Sequence, residues 1–68
     1  MDGTYDEGHD TAYLYLSSTS QERKVARTEE KERGILYDYN REGKIIGIEF
    51  LNASRDLSPS FLEKLTRI

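Results

Sequence analysis

The sequence predicts an α+β fold: a small antiparallel β-meander of four to five strands with a C-terminal helix packed on one face. Three observations predict it. "ILYDYNREGKIIGIEFL", residues 35 to 51, places two runs of alternating apolar residues on either side of a polar turn, which is the signature of a β-hairpin. "AYLYL", residues 12 to 16, alternates Ala12, Leu14 and Leu16 against Tyr13 and Tyr15, and aromatic residues at period 2 suit a pleated surface. "SPSFLEKLTRI" spaces Phe61, Leu62, Leu65 and Ile68 along one stripe of a helix. At 68 residues the chain is a single domain, with the meander over 1–54 and the helix over 58–67.

In chain order, "GTYD" reads as a short first strand, followed by a turn built on Asp6, Gly8 and Asp10. Asp side chains bond their own backbone two residues on, and Gly accepts positive φ. "AYLYL" is the second strand. The segment "STSQERKVARTEEKERG" allows two readings. Ser18 with Gln21 offers a capping box and Gly34 a C-terminal stop, but a helix there has almost only Val25 and Ala26 to bury. A strand near Lys24 to Glu30 is favoured over that helix.

For the hairpin, a four-residue loop from Asn40 to Gly43 puts Tyr39 opposite Lys44, Tyr37 opposite Ile46 and Ile35 opposite Ile48. A three-residue loop with Gly43 left-handed slips every pairing by one and turns Asp38 toward Ile46 and Ile48. Burying an unpaired carboxylate is expensive, so the first register is favoured. "NASRDL" is a polar connection, and the final helix starts with Ser58 at its cap, Pro59 in the first turn and Glu63 near the positive end. Such a short helix draws its stability from packing on the sheet.

One sheet face carries Leu14, Leu16, Ile35, Tyr37, Ile46, Ile48 and Phe50, the predicted core. The other carries Tyr13, Tyr15, Leu36, Ile45, Gly47 and Leu51 beside Asp38 and Glu49, more apolar than a solvated face requires. One helix covers one face, so the second is the predicted interface, with a second copy as its economical cover. A homodimer also answers the size of the domain, since a chain of this length buries only about 60% of its unfolded surface.

Composition narrows the function. With no cysteine and one histidine, neither a disulfide framework nor a thiolate or polyhistidine metal site is available within one chain. The formal net charge of −3, with acids and bases interleaved, supplies no basic field for nucleic acid. Five tyrosines would make a stacking platform only with a basic groove beside them. The start "MDGTYDEGHD" is no signal peptide and no apolar run approaches the ~20 residues that span a bilayer, so a soluble cytoplasmic protein is expected.

Two constellations invite chemistry. Asp6, Glu7, His9 and Asp10 are oxygen and nitrogen donors close in sequence, suited in type to a divalent metal, but their spacing is not that of a calcium loop. Capping of the turn by Asp6 and Asp10 is the simpler reading. Asp38 and Glu49 share a face and would divide acid and base roles if their environments differed. Bonding to a hydroxyl such as Tyr13 or Tyr15, or meeting an arginine across a dimer interface, is the simpler role, because a flat sheet lacks a cleft. Gly47, in mid-strand, costs stability unless an aromatic ring or a partner backbone needs the space, with a bulge as the second explanation. With no cysteine nucleophile, phosphate loop or serine elbow, no enzyme and no cofactor is expected.

"YDEGHDTAYLYLS", "VARTEE" and "GILYDYNREGKIIGIEFLNAS", in that order, resemble the small domain-of-unknown-function family numbered 2283 of bacteria and archaea over about residues 4 to 54. Tyr5, Asp6, Asp10, Tyr13, Leu14, Leu16, Asp38, Tyr39, Gly43, Gly47, Ile48 and Glu49 fit its pattern; Ala12 and Asn40 depart from its usual Leu and Asp. The resemblance implies a β-meander and supports "VARTEE" as a strand. It implies no activity, only an association with toxin–antitoxin-like gene pairs. The expected function is therefore a non-enzymatic protein-interaction domain, an antitoxin or inhibitor partner of a small toxin-like protein. A small-ligand or metal-binding module using the acidic turn is the alternative.

Overall fold

The computed structural model describes residues 2–17 and 24–68. Strands β1 (Asp2–Asp6), β2 (Thr11–Tyr15), β3 (Arg27–Glu32), β4 (Ile35–Tyr39) and β5 (Ile45–Phe50) are followed by two single-turn helices, α1 (Ala53–Asp56) and α2 (Pro59–Leu62), and a last short strand, β6 (Thr66–Arg67). Together the strands form one six-stranded sheet in the order β3-β4-β5-β2-β1-β6. The α+β class holds, with one strand more than the meander predicted. All neighbours are antiparallel except β1 and β6, which run parallel.

Strand order follows polarity. β2 alternates buried Ala12 and Leu14 with half-buried Tyr13 and Tyr15, so it has company on both sides and takes a central place. β3, "RTEEKE", has nothing to bury on either face and lies at the edge, where charges and a shift in register after Glu30 discourage further pairing. The strand reading of this segment is correct, two to three residues later than placed. The capping-box helix start at Ser18 and Gln21 lies outside the described residues.

The hairpin corrects the favoured register. Tyr37 pairs with Ile48 and Ile35 with Phe50, two residues away from the pairing expected of a four-residue loop. The loop is the three-residue one: the Asn40 N–H donates to Lys44 O at 2.9 Å, the Gly43 N–H to Asn40 O at 3.0 Å, and Gly43 has φ +82. That loop brings Tyr39 opposite Ile45, and a second irregularity between Asp38 and Tyr39 then restores the parity. Asp38 ends opposite Gly47 rather than beside Ile46 and Ile48. A compensating bulge thus keeps the Asp38 carboxylate off the apolar face and avoids the cost of burying it unpaired.

The core joins Tyr5, Ala12, Leu14, Phe50, Ala53, Leu62 and Leu65, with Ile35, Ile48, Leu57 and Phe61 packed against it. Leu16, placed in the core from the alternation, is 46% exposed, because it lies one residue past the end of β2. Tyr37 is only half-buried, and Tyr5, absent from the predicted core, is inside.

The C-terminal helix is also shorter than 58–67. Ser58 does cap it, accepting from the Phe61 N–H, and Pro59 stands in its first turn, but α2 ends at Leu62. The chain then extends along the outer edge of β1, where the Ile68 N–H donates to Tyr5 O at 3.1 Å. Backbone groups on an open sheet edge outcompete one further turn of a marginal helix. Ile68 consequently leaves the apolar stripe and is 74% exposed. "NASRDL" is not merely a connection but contains α1.

Candidate functional site

Both helices pack on the face of Ala12 and Leu14, so the described elements leave the opposite face open. Directly paired residues share a face, and the ladder gives two rows across it. One runs Glu30, Leu36, Glu49, Tyr13, Thr4, Thr66. The next runs Thr28, Asp38, Gly47, Tyr15, Asp2. Of the predicted interface residues, Tyr13, Tyr15, Leu36, Asp38, Gly47 and Glu49 are brought together here. Ile45 stands at the bulge, 41% exposed, and Leu51 is just past the strand at 42%. Their places at or beyond the strand end, where alternation no longer holds, separate them from the rows.

Tyr13 organises the centre of the face. Its ring crosses Gly47 on a diagonal, and its hydroxyl donates to Asp38 Oδ2. A Cβ on Gly47 would lie 2.6 Å from Tyr13 Cζ, which explains why a strand interior carries glycine. The close aromatic approach expected of Gly47 is therefore present, with the bulge one step away. Thr28 Oγ1 donates to Asp38 Oδ1 at 2.5 Å from the edge strand, so the carboxylate is held by two hydroxyls. Tyr15 packs beside Tyr13 with ring centroids 4.8 Å apart, and both rings brace the centre of the sheet.

Partial burial, then the hydrogen bond to Asp38 and that carboxylate's charge, push the Tyr13 phenol well above its ordinary range. Asp38 and Tyr13 thus form a neutral-donor, charged-acceptor pair in which the phenol keeps its proton. That suits a structural bond or a recognition surface and not a tyrosinate nucleophile.

The acidic turn is assembled differently. The Asp6 carboxylate accepts from the His9 backbone N–H at 3.3 Å and lies 2.8 Å from His9 Nδ1, while Glu7 meets Arg67 at 2.8 Å. Asp10, left-handed at φ 56, turns away from them. It accepts from Tyr5 Oη at 2.8 Å, from the Ser54 N–H at 3.0 Å and from Ser54 Oγ at 2.7 Å. Its carbonyl accepts from the Ala53 N–H at 2.9 Å. Asp10 therefore caps α1 from across the chain, a role invisible at a separation of 44 residues. Among the described residues no group of three or more His, Asp or Glu side chains is placed to hold a metal ion.

These partners set the pH response. The Ser54 hydroxyl, then the Tyr5 hydroxyl, lowers the Asp10 pKa; His9 lowers that of Asp6, and Lys31 that of Glu29. A depressed carboxylate stabilises the fold above its unfolded pKa of about 4, and that contribution fades as pH falls through the folded value. Tyr13 and Tyr5 are shifted the other way, Tyr5 chiefly by its bond to Asp10. Their contribution is present below about pH 10 and fades as pH rises above it. Thermal midpoints measured from pH 2 to 11 should show a plateau between these two limits. A midpoint that climbs continuously below pH 4 would contradict the assigned bonds.

A small six-stranded domain with one helix-covered face and an organised, open second face is the class these features define. The chain belongs to the family described as Protein of unknown function (DUF2283), which it matches over residues 4–54. No curated protein and no solved structure matches it. The matched span runs from within β1 through β5 to the start of α1, and stops before α2 and β6. Among the described residues, no helix is long and apolar enough to cross a membrane.

Proposed function

We propose that this chain is a non-enzymatic, cytoplasmic protein-interaction domain that engages its partner through the face built on Tyr13, Leu36, Asp38, Gly47 and Glu49. One observation carries the reading: that face is ordered by specific cross-strand bonds, yet the described elements put no covering layer on it. Both sheet edges argue for a face over an edge. β3 is charged and irregular, and β6 is two residues long, so neither offers a long template for strand addition. The partner is a second copy, as the composition suggests, or a small cognate protein neutralised by this chain, the form that the family resemblance favours.

The test is native mass spectrometry of the tagged chain recovered from its own cells. A dimer, or a stoichiometric complex, is expected. Leu36 is half-buried on the open face, and Leu36→Glu should remove that association while leaving the thermal midpoint within a few degrees, because the substitution lies away from the core. A chain recovered only as a monomer would overturn the proposal.

A further inference from the structure

The ladder segregates charge across the sheet, and this bears on which kind of partner the open face takes. Glu30, Asp38 and Glu49 lie in its two central rows, and neither row contains a lysine or arginine. The strand cations fall on the other side or beyond the edge. Arg27 lies 4.2 Å over the Tyr39 ring and pairs with Glu29, as Lys31 does. Arg67 lies over Tyr5 and pairs with Glu7. Arg55, in the helical layer, is held by Asp56 and by the Arg33 carbonyl.

Within the face, Asp38 and Glu30 are steadied by neutral donors. Asp38 accepts from the Tyr13 and Thr28 hydroxyls, and Glu30 from the Gly34 backbone N–H at 3.1 Å. Hydroxyl and amide donors orient a carboxylate without cancelling its charge. From this we infer that the open face docks a basic protein surface, one that presents arginine or lysine side chains to Asp38, Glu49 and Glu30 around the apolar centre of Leu36 and Tyr13. The inference rests on the interaction reading above and names the partner's chemistry. It disfavours a second copy, because a two-fold interface is self-complementary and would set these carboxylates against themselves.

A 15N-labelled sample titrated with tetra-arginine amide at low salt tests it, with tetra-glutamate as control. The expected result is shifts of the Leu36, Asp38, Gly47 and Glu49 amides with the arginine peptide alone, suppressed by salt as the Debye length shrinks from about 10 Å at 0.1 M to about 3 Å at 1 M. Glu30→Gln with Glu49→Gln, which keeps both side chains' size, should weaken the response several-fold. Shifts confined to the Asp6–Asp10 turn, or equal shifts with tetra-glutamate, would overturn the inference. If instead the same amides move on dilution without peptide, a second copy occupies the face; the basic partner is then wrong and the interaction reading stands. If neither dilution nor the arginine peptide moves them, the basic partner is wrong, and the native mass spectrum of the recovered chain decides the interaction reading.

Discussion

A chain ending at Asp56 is expected to show no cooperative unfolding transition, although it retains every residue matched to the family. Leu62 and Leu65 are 7% and 5% exposed and belong to the same cluster as Tyr5, Leu14 and Phe50. Truncating one buried leucine to alanine typically costs about 2–5 kcal/mol. A domain of this length has about 3–10 kcal/mol in total, at roughly 0.05–0.15 kcal/mol per residue. Losing both leucines, with Leu57 and Phe61 beside them, exceeds most of that range. Leu65→Ala alone should cost about 2–4 kcal/mol and lower the thermal midpoint by at least ~10 °C. Circular dichroism melts of the two variants against the full chain decide it. If the shortened chain melts cooperatively at the full-length midpoint, the core does not depend on the C-terminal layer.

That dependence was only half legible in the sequence, and the reason is physical. Phe61, Leu62 and Leu65 announce themselves as apolar residues at helical spacing, so their burial was readable. Where the helix stops was not, because β6 forms through backbone groups of β1 that side-chain patterning does not encode. α1 was missed for a related reason: four residues have no period, and its support comes from Asp10 far upstream. The faces of β2, β4 and β5 followed from alternation, and β3 from the absence of anything for a helix to bury. The hairpin register did not follow, since two irregularities whose effects on parity cancel leave the alternation of the flanking strands unchanged. In the candidate site, Tyr13, Asp38 and Gly47 were singled out and do meet. Thr28 was not, because its partnership with Asp38 exists only once β3 is known to sit beside β4.

Gly47→Ala is expected to cost the fold about 2–4 kcal/mol, combining ~1–3 kcal/mol of overpacking with loss of the Tyr13–Asp38 bond, worth ~1 kcal/mol. At an unobstructed strand position the same change gains roughly 0.5–1 kcal/mol. The sign therefore reports whether Tyr13 fills the space. Its ring cannot simply yield: the new Cβ would lie 2.6 Å from Cζ and 2.7 Å from Cε1, and turning the ring aside strips Asp38 of a donor and breaks its packing on Tyr15. Denaturant unfolding of a double-mutant cycle isolates the pair. On a Tyr13→Ala background the cost of Gly47→Ala should vanish, so the coupling equals the whole of that cost. On a Tyr13→Phe background it should persist, because the ring carbons remain although the hydroxyl is gone. An equal cost on the wild-type and Tyr13→Ala backgrounds would place the need for glycine in the backbone beside the bulge, and the open face would lose the contact on which its order rests.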